Sequence, residues 1–500
     1  MIGNVGVDLV EINDYLKHLE WDKLQNEIQM DKVHGNPNLP QNIQKIVVSR
    51  DDSYKLRAKL FYIEKRDSDK SWMRESVPGS QIDTFTIVGE TNSGIKVELY
   101  NCFIDQWSSN WSATSNESNS ELDISVYKIK VNYSNDSEAI WLADWYLNGS
   151  DIYLPRFTHR DTTLNYNRSR GVLKELRTKY ENKYLGVAGA DFAFINAGDI
   201  KFLITQVDKE FSPQWSHSFS IEYRKEFDFI PTFDQRNAIS EIVSFVIGKQ
   251  LISVGSTCYN QDGYLTKVSA VSPFKNNILS LCRKPSREPI AIGPSNAREI
   301  ETILNELIPS YLNLRTELNL DLALNIYWAS LEAPLGTNLP ILASALEIIM
   351  KGWFKTTKSK SKGLYMKKRE FDKLLKDDLE NIFNKLKDKD NGTPIFNKIN
   401  NSYNMSVTNR FQQFFDEIEL KVGDIENSAL KSRHKMAHGD LGDNDEIYNE
   451  MLNETFAYES LFNRVFLKIL GYNGYYIDKS TLNFPSRHIN TQLGGDKGKT

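Results

Sequence analysis

Two histidines and an arginine lie close together near the end of the sequence. In the segment Ser432–Gly439, which reads Ser-Arg-His-Lys-Met-Ala-His-Gly, His434 and His438 are four residues apart beside Arg433. Residues four apart share a face of an α-helix, and glycine commonly follows the last residue of a helix. Imidazoles can move protons near neutral pH, and a guanidinium can hold a phosphate. The pattern predicts a site that acts on a phosphodiester; the alternative is a solvated helix end with unrelated histidines.

A basic segment lies upstream, between Lys351 and Arg369, where no acidic residue occurs. Lysines can neutralise the phosphates of a nucleic-acid backbone, and the interleaved Trp353 and Tyr365 could stack unpaired bases. The alternative is an ordinary solvated surface. The lysines that we predict to bind RNA are Lys355, Lys358, Lys360, Lys362, Lys367 and Lys368.

Composition limits the classes of protein to which the chain can belong. Its 500 residues suffice for several domains, and a net charge of −5 argues against a protein that coats nucleic acid. The three cysteines, Cys102, Cys258 and Cys282, are far apart and form neither a disulfide framework nor a zinc ligand set. We therefore expect no metal and no cofactor. Without a signal-like N-terminus or an apolar run of about 20 residues, we expect a cytoplasmic protein that contacts no membrane.

Two parts of the chain with different hydrophobic patterns must position these residues. Up to residue 290 the sequence alternates as β-strands do, most clearly at residues 84–100, 124–131, 190–204 and 251–271, with one helix at 235–245. The tryptophans of this region either form the β core or line an aromatic ligand-binding face. They are Trp107, Trp111, Trp141, Trp145 and Trp215.

After Pro289 the apolar residues follow helical spacing. Helices are predicted at 300–308, 318–331, 338–354, 367–388 and 405–421. Asp424 begins a helix that ends at Gly439, and a long helix at 446–470 closes at Gly471. The predicted class is α+β and multidomain. A β-rich domain occupies residues 1–290, a helical bundle residues 291–480, and a flexible tail residues 481–500.

The segment Arg433–His438 resembles the R-polar-x3-H motif of HEPN-domain ribonucleases. In that family the motif lies late in a helical bundle and a long helix follows it. A β-rich region joined to such a bundle resembles the ApeA-type abortive-infection proteins of bacterial phage defence. The resemblance implies that residues 291–480 are an all-α HEPN ribonuclease domain and that residues 1–290 regulate or sense.

The resemblance also implies roles for the three residues. Arg433 would stabilise the phosphate and the transition state, His438 would be the principal acid and base, and His434 would orient the phosphate. The reaction would be metal-independent: the RNA 2′-hydroxyl attacks its own phosphate and leaves a 2′,3′-cyclic end. The implied partners are RNA, with tRNA as the leading target, a second copy in a homodimer or larger homo-oligomer, and a phage-encoded trigger or inhibitor.

One residue departs from a pattern known in the family. HEPN toxins that are silenced by AMPylation carry tyrosine two residues after the histidine, where this chain has Asp440. Two other functions stay open at this point. The helical domain could bind a nucleotide or a partner without catalysis, or the aromatic β domain could act as a ligand sensor.

Overall fold

A computed structural model describes most of the chain in separate stretches. They are residues 28–65, 84–110, 116–133, 139–149, 152–156, 158–161, 166–170, 178–180, 192–207, 217–225, 229–260, 265–273, 278–293, 299–437 and 445–495.

The chain divides into two compact units. The first comprises Met1–Phe233, Leu251–Arg287 and Glu299–Thr302, and the second comprises Asp234–Gln250, Glu288–Arg298 and Ile303–Thr500. The first unit contains a large antiparallel sheet and the second is mainly helical, which confirms the predicted α+β class. The second unit also takes in the segment Asp234–Gln250, which precedes the boundary predicted at residue 290.

The strands of the first unit are antiparallel. The main, 13-stranded sheet contains β1 (Ile28–Met30), β2 (Lys32–Val33), β3 (Ile43–Arg50), β4 (Leu56–Lys65), β5 (Phe85–Glu90), β6 (Lys96–Asn110), β7 (Glu117–Asn132), β8 (Trp141–Tyr146), β12 (Phe192–Ala197), β13 (Ile200–Gln206), β14 (Phe219–Arg224), β15 (Ser253–Tyr259) and β16 (Leu265–Val271). A three-stranded sheet contains β9 (Thr158–Asp161), β10 (Tyr166–Arg170) and β11 (Thr178–Tyr180). These bounds confirm the strands predicted between residues 84 and 271.

The main sheet forks at β7. One edge of β7 pairs with β6 along its length, while the other edge pairs first with β4 and then with β16. From β4 the pairing continues through β3 to β1, and from β16 it continues to β12 at the far edge. Only Asp31 separates β1 from β2, and these strands pair with β3 and β5 respectively. Strands β1 to β7 therefore close a ring of hydrogen-bonded strands.

Strict alternation along β7 explains the core inside this ring. Leu122, Ile124 and Val126 are buried, while the residues between them are only partly buried. Successive side chains of a strand point to opposite faces, so one face of β7 packs inward. Of the five tryptophans considered for the β core or an aromatic ligand-binding face, Trp141 and Trp145 are buried and Trp107 is 39% exposed. Trp111 and Trp215 lie outside the described residues.

The described helices lie mainly in the second unit. Only the short α2 (Ile278–Arg283) lies wholly in the first unit. The other helices are α1 (Phe233–Ile247), α3 (Ile300–Leu314), α4 (Leu320–Glu332), α5 (Asn338–Lys355), α6 (Lys368–Leu386), α7 (Gly392–Asn400), α8 (Val407–Glu417), α9 (Asp424–Ala437) and α10 (Asp445–Ile469). No described helix is long and apolar enough to cross a membrane.

Three helices differ from the prediction, among them the six-residue α2, which was not predicted from the sequence. Helix α3 continues through Pro309 instead of ending there, because buried Ile308, Tyr311 and Leu314 anchor it on both sides of the proline. Proline removes one backbone donor and strains the preceding turn, a cost that tertiary packing can offset. Helix α7 was not predicted either, since a helix of nine residues is too short to show a clear helical pattern of apolar residues.

Helix α10 runs through the middle of the second unit. Every residue from Ala457 to Leu467 is buried, and the helix packs against both α5 and α9. Phe462 stacks on Tyr327 at 4.6 Å between ring centroids, and Phe466 lies 4.4 Å from Phe245. Helix α1, although distant in sequence, is thus part of the helical core.

The C-terminal segment is folded, unlike the flexible tail predicted at 481–500. Strands β17 (Tyr475–Ile477) and β18 (Ser486–His488) pair as a hairpin, and Ile489 and Leu493 are buried. Their burial holds residues 481–495 against the second unit. Residues 496–500 lie outside the described residues.

Candidate functional site

The predicted motif is at the C-terminal end of α9. Arg433 and His434 belong to the last turns of this helix, whereas His438 lies outside the described residues, as does Gly439. On the preceding turns Ala429, Leu430 and Ser432 are buried. The inner face of α9 therefore packs into the unit up to the residue before the motif. The roles of the three motif residues stay predictions.

A buried ion pair anchors the start of α9. Nη1 of Arg464 on α10 lies 2.5 Å from Oε1 of Glu426, and both side chains are wholly buried. Backbone N–H groups of Gly423 and Leu493 donate to the same carboxylate at 3.0 and 2.8 Å. Nη2 of Arg464 donates to the carbonyl oxygens of Lys421 and Ile489. One pair of charges thus joins α9, α10, the loop before α9 and the C-terminal segment.

The length of the connection fixes the relative direction of α9 and α10. Asp445 precedes Arg464 by about 28 Å along α10, and Ala437 follows Glu426 by about 16 Å along α9, at 1.5 Å per residue. The seven residues between the helices span at most about 29 Å. A parallel arrangement would separate the two helix ends by about 45 Å, so the connection excludes parallel helices.

The predicted RNA-binding lysines lie together in one loop and its borders. We call the segment Lys355–Lys368, between α5 and α6, the basic loop. All six lysines are exposed. Four of them have ammonium groups without a hydrogen-bond or ion-pair partner within the described part of the chain. These are Lys355, Lys358, Lys360 and Lys367.

The other two predicted lysines have structural partners. Nζ of Lys362 donates to the carbonyl oxygen of Thr356 just after α5. Nζ of Lys368 lies 2.8 Å from Asp372 one turn along α6 and 5.6 Å from the ring centroid of Tyr403. The pair of Lys368 with Asp372 could have been found from the sequence, because these residues are four apart on a predicted helix. The partner of Lys362 could not, because it depends on the path of the loop.

Glu417 at the end of α8 holds the basic loop in place. Its carboxylate accepts hydrogen bonds from Nε1 of Trp353 at 2.8 Å and from the backbone N–H of Ser361 at 2.9 Å. Burial raises the pKa of Glu417, but hydrogen bonds from Ser361, Trp353 and Ser359 outweigh burial and lower the pKa to about 2. The carboxylate therefore stays charged near neutral pH. Sequence reasoning missed Glu417, because nothing in the sequence distinguishes it from its acidic neighbours Asp416 and Glu419.

The two aromatic residues predicted to stack bases, Trp353 on α5 and Tyr365 in the basic loop, have different roles. Trp353 is half-buried, bonded to Glu417 and packed edge-on against Phe414. Tyr365 is 55% exposed; its backbone N–H donates to Tyr403, and its hydroxyl contacts the side chain of Asn409. Of the two residues predicted to stack bases, only Tyr365 presents its ring to solvent.

Comparison with known proteins adds no relative. No family model, no curated protein and no solved structure matches the chain. Among the described residues, no group of three or more His, Cys, Asp or Glu side chains is placed to hold a metal ion. The resemblance to HEPN proteins therefore rests on the motif and on its place among the helices.

We expect the double substitution Lys358→Ala/Lys360→Ala to weaken binding of single-stranded RNA. The plot of log affinity against log salt should become shallower by about 1.4, because each lysine–phosphate contact with a single strand contributes a slope of about 0.7. Fluorescence anisotropy of a labelled oligonucleotide at several salt concentrations measures this slope. Lys385→Ala/Lys389→Ala, which removes the same charge from exposed positions on and after α6, is the control. Equal slopes for both double variants would rule out the basic loop as a binding surface.

Proposed function

We propose that this protein is a metal-independent endoribonuclease of the HEPN type. The observation that carries the proposal is the sequence order Arg433, His434, His438, with the first two residues in the last turns of α9 and all three before the long central helix α10. Support also comes from the exposed basic loop of the same unit, whose four free lysines suit a phosphate backbone.

The proposed reaction needs no nucleophile from the protein. The RNA 2′-hydroxyl loses its proton to a base and attacks the adjacent phosphorus. The new bond from 2′-oxygen to phosphorus forms as the bond from phosphorus to 5′-oxygen breaks, and the leaving oxygen takes a proton from an acid. His438 is the principal proton carrier and His434 orients the phosphate. The planar guanidinium of Arg433 stabilises the charge on the phosphorane oxygens.

A homodimer would complete the site. Arg433 and His438 are five residues apart, which places them about 140° apart around an ideal helix. A motif from a second copy could supply the acid when the first supplies the base. In this proposal the β-rich unit senses a phage-encoded trigger, and the helical unit then cuts RNA and stops growth of the infected bacterium. Anticodon loops of tRNA offer unpaired bases and accessible 2′-hydroxyls, so tRNA is the leading target.

Incubation of the purified protein with total RNA tests this function. We expect cleavage to persist in excess EDTA and the fragments to end in 2′,3′-cyclic phosphate. An oligonucleotide with a single 2′-deoxy nucleotide at the mapped cleavage site should resist cleavage, because it lacks the nucleophile. Loss of cleavage in EDTA would contradict the metal-independent mechanism. Fragments with free 3′-hydroxyls would contradict attack by the 2′-hydroxyl.

A further inference from the structure

Helices α6 and α7 form a hairpin that has an apolar stripe but buries little of it. We call residues 368–400, which comprise α6, α7 and the loop between them, the helical arm. Apolar side chains recur along α6 at intervals of three and four residues, which is the spacing of one helix face. They are Phe371, Leu375, Leu379, Ile382 and Leu386. Only Phe371 and Leu379 are buried, and α7 has no buried side chain.

The helical arm has little support from the rest of the described chain. Helices α6 and α7 pack against each other, with 5.1 Å between the ring centroids of Phe383 and Phe396. At the base of the arm Phe371 lies 5.5 Å from Tyr403, but no other described helix or strand packs extensively along α6 and α7. Phe383 stays 43% exposed and Ile395 45% exposed. Helices in proteins gain most of their stability by packing an apolar face, so this arm has a surface that a partner can cover.

The charges of the helical arm favour a second copy of the chain over a polyanion or a membrane. Its residues include eight lysines or arginines and seven aspartates or glutamates, so the arm is nearly neutral. A surface that binds nucleic acid or lipid headgroups carries an excess of basic residues, as the basic loop does. Charges of both signs beside an apolar stripe are typical of helices that pair with other helices.

Two pairs of charges make α6 complementary to itself. Asp378 and Lys385 are seven residues apart, which places them on the same side of the helix, two turns and about 10 Å from each other. Glu380 and Lys387 have the same spacing on the other side of the apolar stripe, and the backbone of Lys387 is still helical. All four side chains are exposed, and none has an ion-pair or hydrogen-bond partner among the described residues.

We propose that the helical arm is a dimerisation surface, on which two copies of the chain pair through antiparallel α6 helices. A two-fold axis just after Ile382 brings Asp378 within about 3 Å of level with Lys385 of the second copy, and it does the same for Glu380 and Lys387. In an antiparallel pair the equivalent sides of the two helices face each other, so each acid meets a base. The apolar stripes meet between the two rows of charges.

The inference goes beyond the proposed function, because the pairing of two arms involves no catalytic residue and no RNA. If both hold, the helical arm holds together the homodimer that completes the ribonuclease site. Association and RNA binding can be measured separately. RNA titrations at protein concentrations where the wild type is monomeric keep the control variant Lys385→Ala/Lys389→Ala free of effects on pairing.

Charge reversal tests the pairing at exposed positions. Asp378→Lys places like charges opposite each other twice in the dimer, and we expect it to raise the dissociation constant of the dimer roughly 5- to 30-fold. The double variant Asp378→Lys/Lys385→Glu restores opposite charges and should return the constant to near the wild-type value. Lys373→Glu reverses an exposed charge of the same helix outside the paired segment and should change nothing. Sedimentation velocity over a range of protein concentrations measures each constant.

Carbodiimide cross-linking locates the interface. This reagent joins a carboxylate to an amine only where the two are in direct contact. Asp378 and Lys385 of one copy are about 10 Å apart along the helix, so a cross-link between them joins two copies. In a mixture of unlabelled and isotope-labelled protein, we expect cross-linked peptides in which one member carries the label and the other does not.

A substitution in the apolar stripe gives a second measurement. Phe383→Asp places a charge beside the two-fold axis in both copies, and we expect no dimer at concentrations where the wild type is dimeric. Far-ultraviolet circular dichroism checks that the variant keeps its helices. If the arm pairs in this way but the protein never cleaves RNA, the proposed function fails and the dimerisation surface stands.

Three results would overturn the inference. The first is a wild type that stays monomeric at every concentration. The second is a dimer that Asp378→Lys and Phe383→Asp leave as tight as in the wild type, which would place the interface elsewhere and leave the proposed function standing. The third is a change in the affinity for single-stranded RNA without a change in association, which would make the arm a surface for RNA instead of a second copy.

Discussion

Replacement of Arg433 or His438 by alanine is expected to lower the rate of RNA cleavage about 10²- to 10⁴-fold, the usual contribution of a positioned acid or base. His438→Ala removes the group proposed to carry the proton, and Arg433→Ala removes the cation proposed to face the phosphorane. Single-turnover cleavage of an end-labelled RNA, with enzyme in excess, measures the loss in the chemical step.

The matched control is Lys431→Ala, which removes an exposed cation from the same helix. It should cost only the weak electrostatic attraction of one lysine and leave the rate within about tenfold of wild type. Equal thermal stability of the three variants separates lost chemistry from lost folding. Undiminished cleavage by both Arg433→Ala and His438→Ala would place the active site elsewhere in the chain.

Glu426→Ala is expected to lower the free energy of unfolding of the helical unit by about 3–5 kcal/mol, the usual cost of leaving one buried charge without its partner. The guanidinium of Arg464 would stay wholly buried with two carbonyl acceptors but no counter-charge. Burial already lowers the pKa of Arg464, and nearby Tyr476 and Glu426 oppose this shift. Urea unfolding followed by far-ultraviolet circular dichroism measures the change, because helices dominate this unit.

Two further variants serve as controls for the effect of Glu426→Ala. Asp372→Ala breaks the exposed pair with Lys368 and should cost less than about 1 kcal/mol. The double variant Glu426→Leu/Arg464→Met removes both buried charges and should be more stable than Glu426→Ala. If Glu426→Ala were as mild as Asp372→Ala, the ion pair would not be what holds α9 against α10.

Local hydrophobic patterns in the sequence predict much of the fold. The alternation of β7 and the helical spacing of α5 depend on which face of each element is apolar, and each can be read within a window of about 18 residues. The order of strands could not be read in this way. Two strands share one edge of β7 because residues far apart in sequence pair there, such as Lys128 with Val271 of β16 and Val126 with Leu56 of β4.

In the basic loop, too, the sequence identified the candidate residues but only the tertiary structure decided their contacts. The sequence marked six lysines and two aromatic residues as equivalent candidates. The position of α8 decides that Glu417 binds Trp353 and the backbone of Ser361, and the turn at Gly363 returns Lys362 to Thr356. Four lysines and Tyr365 are left to face solvent.

The sequence by itself determined that the first part of the chain is β-rich and the second helical. It also determined the candidate motif Arg433-His434-His438 and its place before a long helix. These properties are local, since hydrophobic period and residue spacing act over a few turns. Only the tertiary structure decided that the C-terminal segment packs back onto the helical unit and that Phe484 packs against Phe456 of α10. The reason is physical: the contacts of Glu426 with Arg464 and of Phe456 with Phe484 join residues distant in the chain. Which distant residues meet depends on how all the elements pack together.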